Sequence, residues 1–464
     1  MTVLYRSERE LKRMLRSGEI TVSVYGLGHV GAPILAAWLL AGAKGIGVDI
    51  DEEKVSRLER GESPIEEPCL YDVFRRAKEE GMLTATADGI RASAESDIKI
   101  IAVPSFIRED DEPDLSAIEA AASSIARGLK KGDLVILESS VPPGTTRSVL
   151  KPILESSGLK AGPDFGLAYS PERISEGRAL RDIVESYPKI VGGVDERSTR
   201  VAAALYSVIA KKGVIEVSND LVAEFEKLAE GVYRDVNIAL ANELAELSRE
   251  LGIDYDEVRM AANSQPYSHL HRPGTGVGGL CIPIYPRFLI WKARFVDVNL
   301  TLTGTARSIN EDMPRRIAEL VRVGIRKLGI GNPSVIILGL AFRGDVPDSR
   351  LSPTYDLVKM LKKADIPVLG VHDPLIMSDR LLSSMDVPLI RDLREALEAA
   401  NIAVISTDHS IYRMFTSEIF ELGPRLTLVV DGRHTLRVDH VPEGRAYVGV
   451  GRPWVIGRAS RTTT

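Results

Sequence analysis

Short apolar runs of buried-strand type alternate with helix-spaced segments in two separate stretches of this chain, and that alternation constrains the fold more than any other feature. In the first stretch, Ile20–Tyr25, Gly45–Asp49, Ile98–Val103, Leu134–Glu138, Phe165–Tyr169, Lys189–Val191 and Val214–Val217 read as strands, with helical segments over Pro33–Ala41 and Leu115–Leu129. In the second, the strand candidates are Val335–Leu338, Val368–Val371, Ile402–Ser406 and Thr427–Val430. Thr354–Lys363, Asp392–Ala399 and Ile411–Leu422 read as the helices between them. Such alternation implies parallel strands joined by crossover helices. From Leu221 to Leu251 there is no proline and only Gly231 as a breaker. Leu221, Phe225, Leu228, Val232, Val236, Leu240 and Leu244 recur there at helical spacing. This predicts one helix of about thirty residues, about 45 Å long. Asn263–Pro283 reads as a Pro- and Gly-rich loop, and further helices are expected within Pro286–Leu328. Ser7 to Glu10 fits a capping box, and Ser460–Thr464 reads as a disordered tail.

The length of 464 residues fits two or three domains at roughly 100–200 residues each. A formal net charge of −6 argues against a general nucleic-acid binder, which would carry a basic stripe. No apolar run reaches membrane-spanning length, and the charged N-terminus lacks a signal-peptide core, so a cytoplasmic protein with no membrane partner is expected. The two cysteines, Cys69 and Cys281, exclude a disulfide scaffold and suit a reducing compartment. Nothing in the spacing suggests a metal site.

Gly26-Leu27-Gly28-His29-Val30-Gly31 is G-x-G-x-x-G, placed after a strand and before a helix, and Asp49 ends the following strand. In that setting the first glycine permits the tight turn, the second lets the backbone approach a pyrophosphate, and the third lets helix pack on strand. The helix N-terminus favours anionic phosphates. A carboxylate at Asp49 accepts hydrogen bonds from ribose hydroxyls and repels a 2′-phosphate, which selects NAD over NADP. The alternative is a glycine-rich turn in some other α/β protein.

Gly274, Gly276, Gly278 and Gly279 precede Cys281, and Pro283 and Pro286 suit the first turn of a helix through Phe288–Ala293. Glycines at this density permit positive φ and close approach of a ligand. A thiol near a helix N-terminus is a better nucleophile. The competing reading is a small buried residue beside a tight turn, and Cys69 is left in that class. NAD together with a nucleophilic cysteine suits oxidation of an alcohol through an aldehyde, a thiohemiacetal and a thioester to an acid.

These pieces resemble the UDP-sugar dehydrogenase family over nearly the whole chain. The resemblance is carried by Gly26–Gly31 with Asp49, Gly61-Glu62-Ser63-Pro64, Val103-Pro104-Ser105 and Ser139 to Thr146. It continues through Ser170-Pro171-Glu172-Arg173, Glu224 to Lys227, Asn242-Glu243-Leu244, Gly278 to Cys281 and Arg350-Leu351-Ser352-Pro353. Pro171-Glu172-Arg173, Glu176 to Ala179 and the loop before Cys281 are similar to the branch acting on UDP-N-acetylhexosamines. The resemblance implies an α/β fold of two Rossmann-like, doubly wound parallel-sheet domains joined by a long-helix central domain. Its segments are an NAD-binding domain over 1–217, a central domain over 218–328 and a UDP-binding domain over 329–464. It implies NAD-dependent oxidation of the C6 alcohol of UDP-ManNAc or UDP-GlcNAc to the uronic acid, with UDP-glucose as the alternative substrate. It also implies a homodimer through the central domain.

Carried over residue by residue, Cys281 is the nucleophile, Lys227 a fixed positive charge for alkoxide and oxyanion, Glu172 a water-positioning group or base, and Ser140 the holder of a catalytic water. Gly26, Gly28, His29, Val30, Gly31, Asp49, Lys54, Pro104, Ser105, Ser140 and Arg350 are expected around NAD. Glu172, Arg173, Lys227, Tyr267, His271, Arg272, Gly278, Phe342 and Arg343 are expected around the UDP-sugar. Taken alone, Lys227, Lys54 and Arg350 could be surface charges, Glu172 a surface carboxylate and His271 a loop histidine. Two positions depart from the family: relatives usually carry Asn where this chain has Gly231 and Asp where it has Tyr285. Loss of an oxyanion donor costs about 2.7–4 kcal/mol if nothing replaces it. A second reading follows, of a protein that binds NAD and a nucleotide sugar with impaired turnover.

Overall fold

The computed structural model describes residues 2–438 and 440–458; the expected tail Ser460–Thr464 lies outside the described residues. Two sheets organise the chain. The first contains β1 (Thr21–Tyr25), β2 (Lys44–Val48), β3 (Leu83–Thr86), β4 (Ile98–Ile101), β7 (Leu134–Leu137), β8 (Gly166–Tyr169), β9 (Lys189–Gly193) and β10 (Val214–Glu216). A short hairpin, β5 (Phe106–Ile107) with β6 (Pro113–Asp114), stands apart from it. The order β3-β2-β1-β4-β7-β8-β9-β10 reverses direction at β1, where β2 pairs on one side and β4 on the other. A reversal of this kind opens a ligand crevice at the carboxyl ends of the strands.

The second sheet repeats the order: β13 (Leu389–Ile390), β12 (Val368–His372), β11 (Val335–Leu338), β14 (Ile402–Ile405), β15 (Leu428–Asp431) and β16 (Ala446–Gly449), closed by β17 (Arg452–Ile456). Both sheets are therefore Rossmann-like. Each is parallel apart from one pair, β8 with β9 in the first and β16 with β17 in the second. Residues of β4, β7, β11 and β14 are buried throughout, as expected where helices cover both faces.

The long central helix runs over Asp220–Leu251. Helices Tyr285–Ala293 and Thr301–Leu328 follow it. The capping box forms: Ser7 accepts from the Glu10 N–H and Glu10 accepts from the Ser7 N–H at 3.0 Å. Two expectations are corrected. The segment expected as one helix over Ile411–Leu422 is two short helices, Ser410–Arg413 and Ile419–Leu422, and Ser417 between them turns its hydroxyl to the His440 carbonyl. The helix after Cys281 starts at Tyr285, so Pro283 precedes it rather than lying in its first turn.

The chain divides into two compact units. One comprises Met1–Glu230 with Arg287–Val298, the other Gly231–Pro286 with Asn299–Thr464. The first unit is thus discontinuous in sequence.

Candidate functional site

At the switch of the first sheet the three fingerprint glycines differ in what they meet. Gly26 has φ +96, and a Cβ there would lie 2.6 Å from the Ala102 carbonyl oxygen; a Cβ on Gly31 would overlap the Gly26 carbonyl oxygen. Both are demanded by the fold itself. A Cβ on Gly28 would meet nothing within 4 Å. The protein leaves that space open, which fits a dinucleotide pyrophosphate lying against the backbone. The helix Gly31–Leu40 begins at Val30 with no side-chain cap; the Ala32 N–H donates to the Gly28 carbonyl at 3.1 Å and Pro33 has none, so the Gly31 N–H is the one at its start that faces the same place. Asp49 follows β2. Its Oδ2 accepts from the Leu27 N–H at 2.7 Å and lies 3.7 Å from Nζ of Lys54. His29 stands 3.9 Å from Glu176. Gly26, Gly28, His29, Val30, Gly31, Asp49 and Lys54 are therefore neighbours, and the group they can hold is NAD.

The ends of β4 and β7 bring Ser105 and Ser140 together: the Ser105 hydroxyl donates to the Ser140 carbonyl at 2.5 Å, beside Pro104. The hairpin that follows Ser105 anchors the helix that follows Cys281. Trp291 Nε1 donates to Glu112 at 2.8 Å and Arg287 to Asp111 at 3.1 Å. Beyond β8, Glu172 is buried. Its Oε1 accepts from the Arg173 N–H at 2.8 Å and its Oε2 from Lys189. Lys227, on the long helix, donates to the Glu172 carbonyl. Arg173 reaches Glu230 at 3.1 Å. Glu172, Arg173 and Lys227 are thus gathered at one end of the first sheet.

In the second unit the glycine loop is a cast of its neighbours. A Cβ on Gly278 would lie 2.5 Å from the Leu351 carbonyl oxygen and 2.7 Å from Phe342 Cβ; one on Gly279 would lie 2.9 Å from the Phe342 ring; one on Gly276 would lie 2.9 Å from Pro353. Gly274 is held the same way by Arg433, and its N–H donates to Asn242 Oδ1 at 2.9 Å. The close approach predicted from the sequence is therefore made, at these four glycines, by the protein's own side chains and backbone. Cys281 is exposed and unpaired, as is Cys69. The Cys281 carbonyl accepts from the N–H groups of Ile284 and Tyr285 at 3.1 and 3.0 Å. The Gly279 N–H donates to the Arg350 carbonyl at 3.0 Å, while the Arg350 guanidinium pairs with Asp348 at 2.5 Å. Gly278, Phe342 and Arg350 thus cluster around the cysteine loop, and Arg343 follows Phe342.

Tyr267 is 96% exposed at a loop tip. His271 is half-buried, its ring edge-on to Tyr233 and His269, and burial, with His269 and Arg234 nearby, lowers its pKa. The two departures from the family pattern meet: a Cβ on Gly231 would collide with the Tyr285 ring and lie 3.1 Å from Tyr285 Cβ. The bulky residue fills the space that the missing side chain leaves.

Sequence reasoning missed the groups that support these residues. Asn242 also donates to Asn310 at 2.9 Å, and Asn310 and Arg307 both donate to Asp235 at 2.8 Å. Asn242 is named in the sequence only as part of the Asn242-Glu243-Leu244 motif, with no sign of the partners it would hold. Glu138, Lys189 and Tyr206, around Glu172, give no local signal at all.

Comparison with known proteins assigns all three segments. Residues 20–210, 221–312 and 336–438 match the NAD binding domain, central domain and UDP binding domain of the UDP-glucose/GDP-mannose dehydrogenase family. A UDP-N-acetyl-D-mannosamine dehydrogenase from Pyrococcus horikoshii is 34% identical over 436 residues, 93% of this chain and 99% of the relative. The solved structure of a UDP-D-ManNAc dehydrogenase from Pyrococcus horikoshii matches with TM-score 0.85 at 32% identity, covering 93% of this chain and 99% of that one. That of an NDP-N-acetyl-D-galactosaminuronic acid dehydrogenase from Methanosarcina mazei Go1 matches with TM-score 0.82 at 31% identity, covering 97% and 98%.

Proposed function

This chain belongs to the UDP-glucose/GDP-mannose dehydrogenase family, and from that premise we propose that it oxidises the C6 alcohol of a UDP-N-acetylhexosamine to the uronic acid through covalent attachment to Cys281. The observation that carries the reading is Cys281 itself, an exposed, unpaired thiol at the end of a loop whose glycines are fixed by packing. The hexosamine class is supported by the activities of the relatives named above; UDP-ManNAc and UDP-GlcNAc are the first candidates.

Bound NAD supplies the hydride acceptor for both oxidations. Loss of the hydroxyl proton and of a hydride from C6 gives the aldehyde. The Cys281 thiolate adds to it, a second hydride leaves the thiohemiacetal, and water cleaves the thioester to release acid and thiol. Lys227 offers a fixed positive charge to the alkoxide. Ser140 and Glu172 orient water, Lys54 and Arg350 serve the cofactor, and Tyr267, His271, Arg272, Phe342 and Arg343 serve the nucleotide sugar. The segments 1–217, 218–328 and 329–464 carry these tasks in turn. The long helix exposes Phe225, Tyr233, Leu240, Leu247 and Leu251 along one face, which supports a homodimer through the central segment. The residues described contain no helix long and apolar enough to cross a membrane, and we assign the protein to the cytoplasm.

An assay of NADH formation across a panel of UDP-sugars is the direct test, with two NADH expected per hexosamine. Cys281→Ala is expected to lower steady turnover by about 10^3-fold or more; brisk turnover in that variant would sink the covalent mechanism. A preference for UDP-glucose would move the substrate to the alternative. The Tyr285 ring at Gly231 favours one further reading, in which NAD and UDP-sugar bind but hydrolysis of the thioester is slow. An acyl adduct on Cys281 after a single turnover would support it.

A further inference from the structure

Lys189 opens β9 and is 6% exposed. An ammonium at that depth is strongly disfavoured unless its charge is met by partners. Here two carboxylates meet it: Oε2 of Glu138 and Oε2 of Glu172, each 2.5 Å from Nζ. Glu138 follows β7 and is buried, and its other oxygen accepts from the Tyr206 hydroxyl. The Tyr206 ring lies 5.1 Å from the same ammonium. Glu172 follows β8, with its other oxygen on the Arg173 N–H and its own carbonyl on Lys227. Side chains from β9, from the segments after β7 and β8, and from helix Glu196–Ile209 thus form one chain, Tyr206–Glu138–Lys189–Glu172. Apolar side chains of similar volume would serve stability at least as well as this arrangement. Its place, at the strand ends where Glu172 and Lys227 converge, gives a reason to keep it.

We propose that Lys189 is a positioning residue, which fixes the Glu172 carboxylate in one orientation, and which Glu138 competes for. The proposal rests on the role assigned above to Glu172. The charged and titratable groups around Glu172 are few. Lys189 and Glu138 face it directly, Tyr206 and Tyr169 lie in the field of Glu138, Lys227 engages the carbonyl, and the Arg173 guanidinium turns to Glu230. Burial pushes the Glu138 carboxyl up, against the pull of Lys189.

The test compares pH profiles of kcat for the full-length enzyme. With Lys189→Met, Glu172 loses its cation, and the acidic limb moves to higher pH by about one to three units. At neutral pH kcat falls about tenfold or more, with KM for NAD within about twofold. Glu138→Gln removes the competing anion and moves the limb the opposite way, to lower pH. Lys189→Arg, which keeps a cation able to bridge two carboxylates, restores the profile. Glu172→Gln separates the two claims. If it loses activity while Lys189→Met and Glu138→Gln leave the limb in place, Lys189 is merely structural and the role of Glu172 stands. If Glu172→Gln keeps full activity, the role of Glu172 falls and the proposal with it. Should Lys189→Met fail to fold, the Glu138→Gln and Lys189→Arg profiles decide alone.

Discussion

Asp49 and Asp373 hold the same place in two sheets of the same strand order, each following the strand next to the switch. They are used in opposite ways. Asp49 accepts one N–H on each oxygen, from Leu27 and Asp51, and lies largely covered beside Lys54. It keeps acceptor capacity for hydroxyls from outside. Asp373 is fully buried. Oδ2 takes the N–H groups of Leu340 and Ala341 at 2.8 and 2.9 Å and faces His409 Nε2 at 3.1 Å, while Oδ1 takes Leu375 and Ile376 at 2.9 and 3.0 Å. The connections differ to match. After β1 the chain enters a helix at Gly31, whereas after β11 it runs from Gly339 to Ser352 before the helix Pro353–Lys363. One topology therefore gives two kinds of site. In the first unit the switch-point carboxylate stands beside the glycine turn with acceptor capacity to spare; in the second it locks a long loop, and the loop in turn moulds the glycines before Cys281.

The same substitution at the two positions should separate them most sharply. Asp373→Asn removes a charged acceptor of several buried N–H groups and is expected to cost about 2–4 kcal/mol of stability, read as a lower unfolding midpoint with NAD affinity retained. Asp49→Asn should do the reverse, weakening NAD binding about tenfold and narrowing its preference over NADP with little change in midpoint. Equal effects on stability from both variants would break the comparison.

Acid and base should act on the units with opposite sign. In the first unit burial pushes Glu138, Glu224 and Glu226 up to about 7. Their folded-state pKa exceeds the unfolded value, so their contribution is complete below about pH 4 and is lost as pH rises through about 7. In the second unit burial is outweighed by hydrogen bonds: those from His409 and the Ala341 N–H bring Asp373 down to about 2, and those from His434 and the Asp256 N–H do the same for Asp254. That contribution is complete above about pH 4 and is lost as pH falls toward 2. Asp235, raised by burial, blunts the trend in the second unit. Hydrogen exchange of β4 and β14 amides over pH 3–8 (about the range both groups span) reads both; parallel trends would contradict the assignment.

The smallest expected effect concerns Gly231. Alanine there gains about 1 kcal/mol of helix propensity, yet its Cβ meets the Tyr285 ring. Gly231→Ala should therefore lose about 1–2 kcal/mol net, and Gly231→Asn combined with Tyr285→Asp should recover part of it. A stabilised single variant would show that the ring moves freely.

What the sequence disclosed follows from how local each feature is. Gly26–Gly31 and Asp49 were legible because a turn and a strand end specify them within one βαβ unit. The long helix was legible from its periodicity. The glycines before Cys281 were legible as glycines, but their partners Phe342, Pro353 and Arg433 come from distant segments, so a ligand was credited with all of the close approach. β3, β13, β16 and β17 were missed: Leu83–Thr86 alternates with threonines, β13 is only two residues long, and the last two meet at Gly449 and Gly451. Lys189, Glu138 and Tyr206 lie at unrelated element ends and acquire meaning only as a set.

The discontinuity of the first unit sets an order of events on the ribosome. Its hairpin acids Asp111 and Glu112 emerge early, but their partners Arg287 and Trp291 are made only after the loop that bears Cys281. At about 5–20 residues per second the nascent unit waits several seconds for its last helix. A fragment ending at Glu230 would keep the nucleotide turn and still lack the piece that covers the hairpin.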